Sequence, residues 1–378
     1  MAMADHRALP GDLVLLAAGG TGGHVFPSQA LAEALQERGY RLAHVTDRRG
    51  GEYGDGSFGA AHYRIRAGRV TTGGVAARLF GAAELILGFA QSYRLLRRLR
   101  PRVVVGFGGY ASVPVVMAAA LLSVPVVVHE QNAVMGRANR LLAPRADIIA
   151  TSFAEVSGVK QRDRARIRVT GNPVRPAVAE LADRPFTAPA PDGPVRVLVL
   201  GGSQGASVFA KVVPDAAART SADLKGRLQL SLQCRAEDLD GARQACARLG
   251  VTGELTEFFD DVPERLAQAH LVICRAGAST TAELTAAGRP AILVPYPSAM
   301  DDHQSANARA VAEAGGAEVI AEPDFTPEKL AQRLDGLLGD AERLGVMAQK
   351  SHQAGQAKAA TLLADVVVEL CRAKTGEA

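Results

Sequence analysis

Short apolar runs alternate with amphipathic stretches along almost all of the 378 residues. The runs are rich in Val, Leu and Ile, as buried strands are, and the stretches between them have helical spacing. Strands are predicted at 13–18, 41–46, 102–106, 125–129, 147–151, 166–170, 195–200, 227–233, 254–259, 271–274, 291–295 and 317–320. Helices are predicted at 27–38, 112–122, 134–142, 205–218, 262–269, 278–287, 303–314 and 354–372. This alternation indicates an α/β fold with parallel sheets and helices on both faces.

A proline-rich segment interrupts the alternation and divides the chain. Six prolines fall between Pro173 and Pro194 without a clear period, which is typical of an interdomain connection. We therefore predict two Rossmann-like domains, at 1–174 and 175–353, with a cleft between them. The last helix, within 354–378, is expected to pack back on the first domain.

Charge is distributed unevenly along the chain. Residues 1–175 carry 23 Lys and Arg against 12 Asp and Glu, whereas the remainder carries 20 against 27. A basic first domain indicates an anionic partner, and the alternatives are nucleic acid and an anionic membrane surface. Aromatic residues make up only 4% of the chain and Trp is absent. This composition argues against stacking platforms for single-stranded nucleic acid.

No segment predicts a membrane span, a secretion signal or a metal site. Apolar runs stay below the roughly 18 residues that a spanning helix needs. The N-terminal sequence MAMADHRALPGD has no apolar core, so we expect the protein to remain where it is made. The acidic pairs Asp260–Asp261 and Asp301–Asp302 precede predicted helices and are interpreted as helix-start acids. Four cysteines without CxxC spacing are expected to be free thiols: Cys234, Cys246, Cys274 and Cys371.

Three glycine-rich turns follow predicted strands. They read GGTGGHVFP at 19–27, GFGGYAS at 106–112 and GGSQGAS at 201–207. Such turns open helices whose N-terminal N–H groups can bind phosphate. The first departs from the dinucleotide fingerprint because Val25 stands where the third glycine belongs, although Asp47 could bind a ribose. Three loops favour two phosphate-bearing ligands over one nicotinamide cofactor, and tight βα turns without a ligand are the structural alternative.

Polar clusters follow further strands, at the sheet edge where α/β proteins bind ligands. HEQN occupies 129–132, RAGASTTAE occupies 275–283 and DDHQSAN occupies 301–307. In the second cluster Glu283 is expected in the first helical turn. Its structural alternative is a capping box, because S/T-x-x-E is a common helix start.

Together these motifs closely resemble the MurG family, bacterial N-acetylglucosaminyltransferases that convert lipid I to lipid II in peptidoglycan synthesis. GGTGGHVFP, HEQNAVMGRAN, GNPVR, LGGSQGA, CRAGASTTAEL and DDHQSANA run in family order between residues 19 and 308. The resemblance implies a GT-B fold, two Rossmann-like domains whose parallel sheets face each other across a cleft. It also implies inverting transfer from UDP-GlcNAc to the C4 hydroxyl of MurNAc in undecaprenyl-pyrophosphoryl-MurNAc-pentapeptide (lipid I), with no cofactor and no metal.

The resemblance further implies roles for individual residues. Substrate-binding positions in the first domain, facing the acceptor and a diphosphate, are Thr21, Gly22, Gly23, Tyr110, His129 and Asn132. Thr21, Gly22, Gly23 and Asn132 are also counted among the positions implied to bind UDP-GlcNAc. The others are Arg175, Ser203, Phe259, Ala278, Ser279, Thr280, Glu283, Gln304 and Asn307. Phe259 stands where the family more often has an aliphatic residue, and Ser279 stands where it usually has leucine.

The attacking sugar hydroxyl must lose a proton, so a general base is expected. His24 is the first candidate and Glu130 the second. The structural alternatives are that His24 only contacts a phosphate and that Glu130 only braces its loop.

An arginine-rich segment at 64–102 combines apolar and basic positions. The apolar ones are Val75, Leu79, Phe80, Leu85, Ile86 and Phe89, and the basic ones are Arg64, Arg66, Arg69, Arg78, Arg94, Arg97, Arg98, Arg100 and Arg102. This composition suits an interfacial patch for an anionic membrane, with ordinary core beneath a solvated face as the alternative. With the resemblance, it implies a peripheral protein on the cytoplasmic face of the bacterial inner membrane. Other cell-wall synthesis proteins are further expected partners.

Two rival functions stay open from the sequence. One is a related GT-B enzyme acting on another lipid or a small molecule. The other is a catalytically silent protein that only presents a lipid-linked substrate at the membrane. Intact motifs in both halves argue against the silent protein.

Overall fold

The computed structural model describes residues 12–19, 22–47, 61–68, 75–202 and 205–373, with only the backbone given at 75–79. The chain divides into two compact units, residues 1–175 with 358–378, and residues 176–357. Each unit is an α/β layer structure built on one parallel sheet.

The first unit contains a seven-stranded sheet in the order β3-β2-β1-β4-β5-β6-β7, with each neighbouring pair parallel. Its strands are β1 Leu13–Ala17, β2 Arg41–Thr46, β3 Ala61–Arg64, β4 Val103–Gly106, β5 Val126–Glu130, β6 Ile148–Thr151 and β7 Ile167–Val169. The central strands are buried on both faces, which explains their continuous apolar runs.

Helices cover both faces of this sheet. They are α1 Gly22–Gln36, α2 Val75–Leu99, α3 Gly109–Leu121, α4 Arg137–Leu142 and the C-terminal α14 Ala359–Ala373. Helix α14 packs with α1, where Arg38 forms an ion pair of 2.7 Å with Asp365. The prediction of one helix over 354–372 is wrong at its start, because α14 begins at Ala359.

The second unit contains a six-stranded parallel sheet in the order β10-β9-β8-β11-β12-β13. Its strands are β8 Val195–Leu200, β9 Leu228–Gln233, β10 Gly253–Thr256, β11 Leu271–Cys274, β12 Ala291–Leu293 and β13 Ala317–Val319. Its helices are α5 Pro176–Ala179, α6 Ser207–Ala218, α7 Ala222–Arg227, α8 Ala236–Leu249, α9 Val262–Gln268, α10 Ala278–Ala286, α11 His303–Glu313, α12 Pro327–Leu338 and α13 Ala341–Ala354. The predicted α/β class with two parallel sheets is confirmed.

Both sheets have the strand order of doubly wound nucleotide-binding folds. In each, the order reverses beside the first strand of the unit, between β1 and β4 and between β8 and β11. Ligands of such sheets bind beyond the carboxyl ends of the strands at this reversal. We therefore expect the ligand-binding sites at the loops that follow β1, β4, β8 and β11.

Candidate active site

Two glycine loops of the first unit pack backbone to backbone at the strand-order reversal. A side chain at Gly19, after β1, would come within 3.3 Å of the Gly109 Cα and 3.4 Å of the Tyr110 nitrogen, after β4. Gly108 and Gly109 have φ of 87° and 72°, which favours glycine because other residues are strained there. Helix α3 begins at Gly109 with no side-chain cap. A helix N-terminus of this kind can bind an anion through its main-chain N–H groups.

His24 lies in the first turn of α1, which begins at Gly22 rather than at the predicted residue 27. Pro27, inside the helix, and the four glycines of the loop obscured this start. The His24 ring lies against the second glycine loop, since side chains at Gly108 and Gly109 would each come within 3.4 Å of it. The histidine is thus placed where two helix N-termini meet.

His24 belongs to a network of buried polar side chains. Its Nδ1 lies 3.3 Å from Oε1 of Gln131. The Gln131 Nε2 donates to the Phe107 carbonyl at 2.9 Å and lies 3.0 Å from Nδ1 of His129. The His129 Nε2 lies 3.0 Å from the Gly171 carbonyl oxygen.

Burial lowers the pKa of His129 to about 4, with the Gly171 hydrogen bond opposing that shift and nearby His24 adding to it. His129 is 0% exposed. At neutral pH its imidazole is therefore uncharged. The His129 side chain lies in the interior, joined to His24 through Gln131, and not on an exposed surface.

Glu130 braces its own loop. Oε1 accepts from the Asn132 main-chain nitrogen at 3.0 Å and from its Nδ2 at 3.3 Å, and Oε2 accepts from the Gly136 nitrogen and Asn139 Nδ2 at 2.8 Å each. The residue is 1% exposed. Four hydrogen bonds to one buried carboxylate suit the structural role more than that of a proton acceptor.

The remaining predicted residues of the first unit that the structure describes lie at the starts of α1 and α3 or in the loop after β5. Gly22, Gly23 and Tyr110 stand in the first turns of α1 and α3. Asn132 is half-buried in the loop after β5. Thr21 lies outside the described residues.

In the second unit, helix α10 follows β11 and opens without a side-chain cap. Its N-cap is Gly277. Ala278, Ser279 and Thr280 form its first turn and are half-buried. The Ser279 Oγ is buried with no hydrogen-bond partner among the described residues. Uncapped N–H groups and an unpaired hydroxyl suit an anionic ligand.

The capping-box alternative for Glu283 is wrong. Helix α10 begins at Ala278, so Glu283 lies in its second turn, whereas a capping-box acid occupies the third helical position. The prediction that Glu283 stands in the first turn fails for the same reason. The helix starts earlier than Thr280 because the glycine before it serves as the cap.

Gln304 and Asn307 lie on α11 and hold neighbouring loops. The Gln304 Oε1 accepts from the Tyr296 main-chain nitrogen at 2.9 Å, and the Asn307 Nδ2 donates to the Ala276 carbonyl at 3.0 Å. Asn307 is 0% exposed. It therefore supports the β11–α10 loop from below.

The other predicted donor-side residues are Phe259, Arg175 and Ser203. Phe259 is buried, and the Arg265 guanidinium lies 4.1 Å from its ring centroid. Arg175 is half-buried at the end of the first unit. Ser203 lies outside the described residues.

Known glycosyltransferases match this chain along most of its length. Family models match residues 14–151, for the glycosyltransferase family 28 N-terminal domain, and 196–363, for the C-terminal domain. A protein of Rhodospirillum centenum named UDP-N-acetylglucosamine--N-acetylmuramyl-(pentapeptide) pyrophosphoryl-undecaprenol N-acetylglucosamine transferase is 56% identical over 355 residues, 94% of this chain and 93% of that protein. The chain belongs to the MurG family.

Further matches agree with this MurG-family assignment. The enzyme of the same name from Paramagnetospirillum magneticum is 52% identical, over 96% of this chain and 98% of that protein. The crystal structure of Acinetobacter baumannii MurG has a TM-score of 0.78 at 29% identity, covering 95% of this chain and 99% of that one. The resemblance found from the motifs, the Rossmann-like units and the glycosyltransferase class are confirmed.

Three residues of this MurG-family chain were not among the predicted site residues. Gln131 joins His24 to His129. Its place in the HEQN cluster was the feature of the sequence that could have identified it as a site residue. Arg275 is 8% exposed, donates to the Val294 and Pro295 carbonyls at 3.2 and 3.3 Å, and pairs with Glu322. Asn172, in GNPVR, is 4% exposed, and its amide atoms have no hydrogen-bond partner among the described residues.

Neither a candidate metal site nor a helix that could span a membrane is found in the described part of this MurG-family chain. It contains no cluster of three or more His, Cys, Asp or Glu that could hold a metal ion. None of its described helices is long and apolar enough to cross a membrane.

Proposed function

We propose that this protein transfers GlcNAc from UDP-GlcNAc to the C4 hydroxyl of MurNAc in undecaprenyl-pyrophosphoryl-MurNAc-pentapeptide (lipid I), forming lipid II with inversion. The observation that carries the proposal is the 56% identity, over 94% of the chain, to a relative whose name states this donor and acceptor. Two strand-order reversals, one in each unit, each with an uncapped helix N-terminus, suit a reaction between two diphosphate-bearing substrates.

The second domain, at 175–353, binds UDP-GlcNAc in this proposal. The first turn of α10 binds the donor phosphates, since its N–H groups are free of side-chain caps. Glu283 accepts from the ribose hydroxyls, because a carboxylate can accept two such bonds. The full donor set is Arg175, Ser203, Phe259, Ala278, Ser279, Thr280, Glu283, Gln304 and Asn307, with Asn307 acting through the Ala276 loop that it holds.

The first domain, at 1–174, binds the acceptor. The loops of Thr21, Gly22, Gly23 and Tyr110 face its diphosphate, and Asn132 and His129 complete this side. His24 is the general base for the sugar hydroxyl. Its ring lies between two helix N-termini, whereas Glu130 is committed to four hydrogen bonds within its loop.

Helix α2 contacts the membrane in this proposal. Phe80 and Ile86 are each 68% exposed and Leu87 is 47% exposed, while Arg94, Arg97 and Arg98 are exposed farther along the helix. Large exposed apolar side chains beside arginines suit an anionic bilayer surface. Phe89 instead packs against the core, so the segment is part core and part surface. Val75, Leu79, Arg69 and Arg78 lie where no side chain is described.

The protein therefore acts peripherally at the cytoplasmic face of the inner membrane, where a nucleotide-sugar donor and a lipid-bound acceptor meet. Other cell-wall synthesis proteins are expected partners at the same surface. Nucleic acid is not expected to bind.

The test uses full-length protein, sugar-labelled UDP-GlcNAc and lipid I in anionic vesicles. Label transfer to lipid I is expected, with UDP release that requires both substrates. Transfer to another acceptor with lipid I inert would instead support the related GT-B enzyme. Binding of both substrates without UDP release would support the silent presenting protein.

A further inference from the structure

Gln131 occupies the centre of the network that joins two histidines far apart in sequence. It is 1% exposed. Its Oε1 meets Nδ1 of His24, and its Nε2 meets the Phe107 carbonyl and Nδ1 of His129. The donor and the acceptor of each hydrogen bond in this network can be assigned.

The Gly171 main-chain carbonyl fixes the tautomer of His129. A carbonyl only accepts, so the His129 Nε2 at 3.0 Å from it carries a hydrogen. Burial keeps this imidazole neutral. Its Nδ1 therefore presents a lone pair and needs a donor.

That donor is the Gln131 amide nitrogen, which also donates to the Phe107 carbonyl. The same nitrogen also lies 3.2 Å from the His129 carbonyl oxygen. A flipped amide would place its oxygen against two carbonyl oxygens and the His129 lone pair, so this orientation is held by three contacts. The Gln131 Oε1 then faces Nδ1 of His24. Because an amide oxygen only accepts, the hydrogen of a neutral His24 lies on Nδ1.

We propose that Gln131 is a positioning residue that holds His24 in the Nδ1–H tautomer and leaves Nε2 of His24 as the proton acceptor. The proposal rests on the proposed function for the role of His24 as base. It assigns to Gln131 the task of a triad's third member, which fixes the tautomer of the catalytic imidazole. Here a neutral amide performs that task, itself oriented by His129.

The first test is ¹⁵N NMR of the full-length protein labelled at histidine, with the His24 signals assigned by their loss in His24→Gln. The expected result is a neutral Nδ1–H tautomer for His24 in the unmodified protein. An Nε2–H tautomer there would overturn the proposal without any variant. This measurement decides the matter even if variants of Gln131 do not fold.

The second test is Gln131→Met, which keeps the side-chain length but removes both amide groups. The His24 signals should move toward the Nε2–H tautomer, and kcat should fall roughly 10-fold to 100-fold with the KM for lipid I nearly unchanged. The same exchange at exposed Gln332, on α12, should alter neither. Binding of UDP by both variants checks that the second unit is intact.

The outcomes separate this inference from the proposed function. A lower kcat with an unchanged His24 tautomer overturns the positioning role of Gln131. A changed tautomer with unchanged kcat upholds that role and contradicts His24 as the base. A change in both supports the two together.

Discussion

The two units hold their candidate sites in different ways. In the first, side chains bond to side chains, as in the chain from His24 through Gln131 to His129 and in the pairing of Glu130 with Asn139. In the second, side chains bond mainly to main-chain groups, as Asn307 does to Ala276. The first unit thus adds direct bonds between polar side chains to the main-chain contacts that hold its loops, whereas the second relies mainly on such main-chain contacts.

The difference matches two kinds of chemistry. Proton transfer depends on which imidazole nitrogen carries hydrogen, and a hydrogen-bond partner of defined polarity sets that, as Gln131 does for His24 and the Gly171 carbonyl does for His129. Binding a diphosphate depends on N–H groups that point the same way, and the end of a helix provides them once its loop is held still. Substitutions at the site of the first unit are therefore expected to lower kcat. Substitutions at the site of the second unit are expected to alter the selection of the donor.

The largest effect is expected for His24→Ala. Loss of the general base should lower kcat by roughly 10²–10⁴. If His24 only contacts the acceptor diphosphate, the loss should instead appear in the KM for lipid I. Steady-state kinetics against both substrates distinguishes the two, and a near-normal kcat would remove His24 from the chemistry.

Acid is expected to weaken the first unit through its buried histidines. Burial lowers the pKa of His44 and of His129 to about 4, with nearby His62 adding to the shift at His44. The unfolded chain takes up protons from about pH 6.5 downward and these folded sites do not, so stability falls between about pH 6.5 and pH 4. The loss should reach roughly 2 kcal/mol per histidine at pH 5.

Hydrogen exchange at pH 7 and pH 5 can follow the two units separately. Exchange should increase more in the sheet of the first unit. His44→Gln should flatten this pH dependence, whereas His352→Asn, at an exposed position, should not. Equal acid sensitivity in His44→Gln and the unmodified protein would contradict the assignment.

Glu283→Ala tests the second unit. Loss of the ribose contact should reduce kcat/KM for UDP-GlcNAc, by an amount that corresponds to roughly 1.5–3 kcal/mol of lost transition-state stabilisation. The unmodified protein should discriminate against a donor lacking the ribose 2′-hydroxyl, and the variant should treat the two donors nearly alike. Glu313→Ala, at an exposed position on α11, is the control. Retained discrimination in Glu283→Ala would mean that the ribose binds elsewhere.

The smallest effect is expected at the membrane surface. Reversing the charge of Arg97 and Arg98 to Glu should weaken binding to anionic vesicles by roughly 1 kcal/mol per residue, and added salt should weaken binding of the unmodified protein. Reversal of Arg164 and Arg168, exposed elsewhere on the first unit, makes the same change in net charge. If both pairs behave alike in sedimentation, α2 is not the contact surface.

Most elements of the fold could be predicted because their patterns are local. Strand β3 was missed because it lacks an apolar run, whereas α12 was missed although Leu330, Leu334 and Leu337 give it a periodic apolar face. Strand β3, Ala61–Arg64, is a polar edge strand with no fully buried residue, so only its pairing with β2 defines it. Helices α8, α12 and α13 were missed although they carry capping signals, such as Thr326 before Pro327 and Asp340 at the N-cap of α13.

The sequence by itself determined the α/β class, the two halves and the glycine loops. The burial of a strand and the type of a turn depend on residues that are close together in the sequence, so local patterns predict them. Only the tertiary structure decided which polar residues meet. His24 and Gln131 are 107 positions apart and come together because β1 and β4 are adjacent and β5 follows β4 in the sheet. Tertiary packing likewise decided that Phe89 lies against the core and Ile86 in solvent, since a helical pattern does not state which face will be covered.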